Sequence, residues 1–194
     1  MNRKNTLSRH YSCGFILLLL LAFTSTQAAS TPSYDEIEWI ELMPKSDLDA
    51  LLDPPDFLVE IKDGSDLDSV EALSGMEQKS GNAERFQQAL TSTRVIQSFD
   101  KKQIRIPGFI VPLSSDEQHR VVEFFIVPYF GACLHMPPPP PNQIIYGTFK
   151  EGIKVSQLDA AFWFEGTINI ETNSNDTGTS AYAMALDNIE EYEY

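Results

Sequence analysis

Long apolar runs are almost missing from this chain. Only residues 14–23 form one, with five consecutive leucines at 17–21. The run is about ten residues long, whereas a helix that spans a bilayer needs about 20. No transmembrane segment is therefore expected. Cysteine is equally scarce, with Cys13 and Cys133 alone among 194 residues. A disulfide-stapled scaffold is excluded by that count. Positive charge is sparse as well, with 14 Lys and Arg against 28 Asp and Glu. A surface of that sign repels nucleic acid and anionic membranes, so neither is expected as a partner. It suits cations and basic partners, and it also serves plain solubility.

The short apolar run has a context. Arg3, Lys4 and Arg9 precede it, and small and polar residues follow from Thr24 to Ser30. Basic, apolar, small is the order of a secretory signal peptide. Cleavage after Ala28 is expected, which places the mature protein in the periplasm. Cys13 lies before the apolar run, so it is not a lipidation site. Cleavage removes three of the 14 bases and none of the 28 acids, so 11 bases face 28 acids and the net charge moves from −14 to −17. It also leaves Cys133 as the single thiol of a chain of about 166 residues, a length for one domain. In an oxidising compartment such a thiol should be buried, bound or paired with another molecule.

The remainder divides in two. Residues 29–82 read as an acidic, partly flexible extension, with a short helix over 46–52 capped by Ser46 and stopped by Pro54 and Pro55. Residues 62–82 are rich in Asp, Ser, Gly and Glu and read as a mobile segment. One helix is expected over 84–96, with Phe86, Leu90 and Val95 inside. From about residue 101 the pattern turns to strands: 104–113 (IRIPGFIVPL), 121–129 (VVEFFIVPY), 143–149 (QIIYGTF), 162–170 (FWFEGTINI) and 181–189 (AYAMALDNI). Five short strands with turns between them predict a mainly β domain over 83–194. Its core is a small five-stranded barrel of the oligonucleotide/oligosaccharide-binding type, residues 101–192. Glycines 108, 147 and 166 inside strands fit tight coiling, and Pro107 and Pro112 imply edges or bulges. Residues 172–180 (TNSNDTGTS) read as a polar loop between the last two strands.

One segment carries chemistry. Gly131, Ala132, Cys133, Leu134, His135 and Met136 lead into Pro137, Pro138, Pro139, Pro140 and Pro141, then Asn142 and Gln143. Five prolines favour a polyproline II rod of roughly 15 Å that joins no sheet ladder. It would brace the loop before it. In extended backbone Cys133 and His135 project to one side, within reach of one metal ion, with the Met136 thioether nearby. Thiolate and imidazole suit Zn²⁺, and an added thioether tilts toward Cu⁺. Zinc takes three or four ligands, so others must come from elsewhere. His119, in the loop 114–120, is the other mature histidine, expected at the opposite barrel end in an up-and-down order. Buried packing for the cysteine and loop hydrogen bonding for the histidine remain the bland alternative. A nucleophilic Cys-His pair would need contact and an orienting third group, for which Asn142 is the candidate. No protease signature surrounds it, and no enzymatic activity is expected. The prolines, with Tyr129 and Phe130, would also serve as an interaction surface.

The segments IRIPGFIVPL (104–113), FFIVPYFGACLHMPPPPPNQIIY (124–146) and FWFEGTI (162–168), with Ala181 and Tyr182, resemble a family of proteobacterial periplasmic proteins known only as a domain of unknown function. The resemblance spans residues 84–192. It implies an exported protein or lipoprotein. Some members lie near zinc-regulated ABC transport systems, which implies a part in metal handling and an ABC-transporter or other envelope partner. It implies no reaction. The chain departs from the lipoprotein members in having no lipidation cysteine after the apolar run.

Overall fold

The computed structural model describes residues 33–55, 81–132, 138–154 and 160–192. The export signal at 1–28, the acidic segment at 62–80 and the donors Cys133, His135 and Met136 with Pro137 lie outside the described residues.

Six strands form one sheet. They are β1 (Asp35–Glu36), β2 (Lys102–Ser115), β3 (Val121–Val127), β4 (Ile145–Ile153), β5 (Phe162–Asn175) and β6 (Gly178–Glu191). The order is β1-β2-β3-β4-β6-β5, and β2 also pairs with β5. That last pairing closes β2 to β6 into a five-stranded mixed barrel. All its pairs are antiparallel except β4 with β6. The expected barrel is thus the fold, and two-residue β1 adds a parallel rung on β2.

Period-two alternation explains the closure. Ile104, Ile106, Phe124, Ile126, Ile145, Phe164, Ile168, Tyr182 and Met184 are buried and pack in one core. Phe125, Val127 and Ile144 alternate to the outside, yet are buried too, in a smaller cluster with Phe109, Val111, Leu113 and Tyr146. Tight coiling needs glycine at two points. A Cβ on Gly166 would stand 2.3 Å from the Ala185 carbonyl oxygen, and one on Gly147 would stand 2.8 Å from the Phe124 ring. Pro112 lies where β2 shifts register against β3, the bulge its missing N–H calls for.

Three elements differ from expectation. The helix predicted over 84–96 is α2 (Gly81–Leu90). It stops early because the chain turns extended to reach the barrel. There the Ser92 hydroxyl donates to Asp47 at 2.6 Å and accepts from the Arg94 N–H at 3.2 Å. Residues 172–180 are not a loop. They are the tips of β5 and β6, paired at Asn173–Ser180 and Ser174–Thr179, with the turn confined to Asp176 and Thr177. The Asn175 side-chain oxygen accepts from the Thr177 and Gly178 N–H groups and closes that turn. The first helix, α1 (Lys45–Leu51), is capped at Pro44 rather than at Ser46.

Residues 33–55 and α2 lie against one end of the barrel, in one compact unit running from Ser33 to Tyr194. Tyr182 is the pin. Its hydroxyl donates to the Leu42 carbonyl at 2.9 Å and accepts from the Ile96 N–H at 2.7 Å.

Candidate functional site

The motif connects β3 to β4 at the barrel end covered by α1 and α2. Its first half is a tight turn. Ala132 N–H donates to the Tyr129 carbonyl at 3.3 Å, and Gly131 sits at φ 74°, where a side chain would be strained. Ala132 is fully buried in the outer cluster. Chain direction is therefore fixed where the Cys-x-His segment begins.

The second half is fixed more firmly. Pro139 and Pro140 are buried. Pro140, at φ −64° and ψ 157°, has polyproline II geometry. Pro141 does not extend the rod. It opens a 3-10 turn, Pro141–Gln143, because the Gln143 N–H bonds back to the Pro140 carbonyl at 2.8 Å. Asn142 is 0 % exposed and donates to Asp47 Oδ2 at 3.2 Å and to the Arg94 carbonyl at 3.0 Å. Gln143 donates to the Trp39 carbonyl at 2.8 Å. The NH2 groups of both amides thus hold the motif to the N-terminal segment, while the buried Asn142 Oδ1 has no hydrogen-bond partner among the described residues.

Asp47 is the hub of that clamp. It is 1 % exposed, and it accepts from Ser92, Asn142 and the Arg94 guanidinium. A buried carboxylate is tolerable only with such partners. Three separate parts of the sequence, at 47, 92–94 and 142, meet there. Asp47, Ser92 and Arg94 were not among the sequence-derived candidates. An acid in a short helix that also carries Asp49 looks solvated, and only the three-dimensional pairing reveals its role.

Beside the clamp runs an apolar groove of about 290 Å³. Ile40, Met43, Phe86, Leu90, Tyr129 and Pro138 to Pro140 line it. Ile40 is 52 % exposed and Tyr129 41 %, and neighbouring Phe130 is 52 % exposed while packing on Phe109. Apolar side chains this open are uncommon in a cluster.

His119 stands elsewhere. It occupies the turn between β2 and β3 with φ 60° and an exposed side chain, held by Asp116. Seven residues of β3 separate that turn from the motif, roughly 20 Å of strand. The structure does not bring His119 to Gly131, Ala132 or Asn142. Among the described residues no group of three or more His, Cys, Asp or Glu is placed to hold a metal. Among them, too, no helix is long and apolar enough to cross a membrane.

No functionally curated protein matches this chain. A solved structure does: the crystal structure of a DUF3299 family protein from Pseudomonas aeruginosa PAO1, at 31 % identity and a TM-score of 0.60. The match covers 84 % of this chain and 99 % of that one. The family model described as "Protein of unknown function (DUF3299)" matches residues 39–191, which hold the barrel, the clamp and the motif. The chain therefore belongs to the DUF3299 family.

Proposed function

We propose that this protein is an exported, non-enzymatic accessory of the bacterial envelope that takes up a soft transition metal, zinc before copper(I), through Cys133 and His135 and assists its transport. The observation that carries this reading is the fixation of both flanks of the Cys-x-His segment. The Gly131 turn with buried Ala132 holds one side. Pro139, Pro140, Asn142 and Gln143 hold the other. Donors on a short segment tied at both ends lose little freedom on ligation, so two of them gain affinity from pre-organisation. Two donors leave coordination positions open, since zinc takes four ligands. Water or a partner's side chain would fill them, which suits a protein that passes its metal on. The acid-rich composition attracts cations to the surface.

The test is a zinc titration of the full chain after export and chelator treatment, following thiol alkylation and melting temperature together. Zinc should protect Cys133 from alkylation and raise the melting temperature. The double variant Cys133→Ser with His135→Ala should lose the melting shift. Equal zinc affinity in that variant and in the parent would falsify the proposal.

A second reading rests on the apolar groove. Tyr129, Ile40 and the prolines would dock an apolar segment of an envelope protein, with or without metal. It predicts that the complex survives chelation and is lost in Tyr129→Ser. Retention of the partner by Tyr129→Ser would count against it.

A further inference from the structure

We propose that the outer face of β3 and β4, overhung by the β5–β6 turn, is a binding cleft for a linear, uncharged oligosaccharide. Glu123 and Tyr146 alternate with the core residues Phe124 and Ile145, so they point outward on neighbouring strands. The tips of β5 and β6 run past the barrel and lean over this face. A Cβ on Gly178 would lie 3.6 Å from the Phe125 ring. Between the tip and the strands lies a space of about 420 Å³, walled by Glu123, Tyr146 and residues 173–177. A second hollow of about 170 Å³ is walled by Tyr146 with Thr148, Asn169 and Glu171. Tyr146 lines both, so the two hollows share one aromatic ring. This face and its flanking loops are where barrels of this topology receive extended chains.

The chemistry of the lining selects the ligand. Neither hollow has a lysine or arginine in its wall, so phosphate and other anions find no counter-charge. The carboxylates Glu123, Glu171 and Asp176 are not placed as a group that could hold a metal ion, since no such group of three occurs among the described residues. What remains is a line of spaced acceptors, amides and hydroxyls around one aromatic ring. Sugar hydroxyls need both donors and acceptors at such spacing, and sugar C–H faces pack on aromatic rings. Tyr146 is held for this work. Its ring meets Phe125 edge-on at 6.4 Å. Burial, then the neighbouring Glu123 carboxylate, which takes the hydroxyl's hydrogen bond, pushes its phenol above the ordinary range, so the ring is tethered and its oxygen is left to accept. This cleft involves none of the residues proposed for the metal.

The experiment is an amide-resolved NMR titration of the metal-stripped protein, purified after expression of the full chain. The probes are chitotetraose and cellotetraose, with spermidine and an eight-nucleotide oligothymidine as separate arms. At least one sugar should shift the Thr177 and Gly178 backbone amides and the Asn173 side-chain amide saturably. The Kd should fall below about 1 mM. Asn173→Ala should weaken that binding about fivefold, the worth of one hydrogen bond. Tyr146→Ala should weaken it more. Because Tyr146 packs on Phe125, Asn173→Ala on the exposed hairpin carries the decision if Tyr146→Ala fails to fold. Three results overturn the proposal: no shift in this cleft with either sugar at about 10 mM, unchanged affinity in Asn173→Ala, or shifts there with spermidine or oligothymidine but with neither sugar. Cys133→Ser should bind the sugar as the parent does, so failure of the metal reading leaves this result untouched.

Discussion

The two faces of this barrel are built on opposite principles. At the motif end, polar side chains are buried and hydrogen-bonded, with the Asn142 Oδ1 unpaired among the described residues, and apolar groups stand open to solvent. Asp47, Asn142 and Gln143 are buried, while Ile40, Tyr129 and Phe130 are exposed. On the outer face of β3 and β4 the order is the usual one, with Phe125 buried beside the β5–β6 tip and Glu123 and Asn173 lining the space outside. The inversion teaches where conformational control is concentrated. A barrel closes on its apolar alternation alone. Holding one particular loop in one particular path takes directional bonds, and here they gather on Asp47.

The sharpest way to break the comparison is Asp47→Ala. It leaves the Ser92, Arg94 and Asn142 donors without their shared acceptor. The loss should be about 3 kcal/mol, below the full value for a broken buried ion pair because Arg94 is 62 % exposed. Urea melts measure it. Cys133 should also become more reactive to alkylation as the motif loosens. A small loss with unchanged thiol reactivity would remove Asp47 from the account.

Next comes Tyr182→Phe. It deletes the bonds to Leu42 and Ile96 that pin the N-terminal segment, at a cost of about 1–2 kcal/mol. Burial raises the Tyr182 phenol above its ordinary 10.0, opposed by the Ile96 N–H bond. The folded state thus favours the neutral form. Stability from this group is fully present below pH 10.0 and is lost as pH rises beyond it, while the unfolded chain ionises first. Alkaline melts of Tyr182→Phe should fall less steeply than those of the parent.

The smallest effect belongs to the other barrel end. Asp116 closes the β2–β3 turn, and the Arg120 N–H, followed by its guanidinium, lowers its carboxyl below the ordinary 3.8. Its contribution is present above 3.8 and is lost as pH falls through the lowered value. Asp116→Asn should soften only the acid limb of the stability profile, within reach of a careful acid titration. It should leave Cys133 reactivity unchanged, whereas Asp47→Ala alters it.

The barrel was legible because its strands carry dense apolar runs punctuated by glycine and proline. Gly147 and Gly166 mark where Phe124 and the Ala185 carbonyl crowd the backbone. The motif was legible as an unusual sequence. The clamp was not. Asp47 bonds Ser92 and Asn142 across 45 and 95 residues, and no local pattern encodes such a pairing. The same bond explains why α2 ends short of the stretch that reads as helical. The β5–β6 tip escaped for a different reason. Its arms are polar on both faces because they extend beyond the core, so the apolar alternation that marks a strand is missing there.

Elemental analysis of the native protein, purified from periplasm without a metal-binding tag, decides whether the clamped motif holds the proposed metal. About one zinc, or copper, per chain is expected in the parent, with strong depletion in Cys133→Ser and the fold intact. A parent free of both metals, or equal metal in parent and variant, would contradict it.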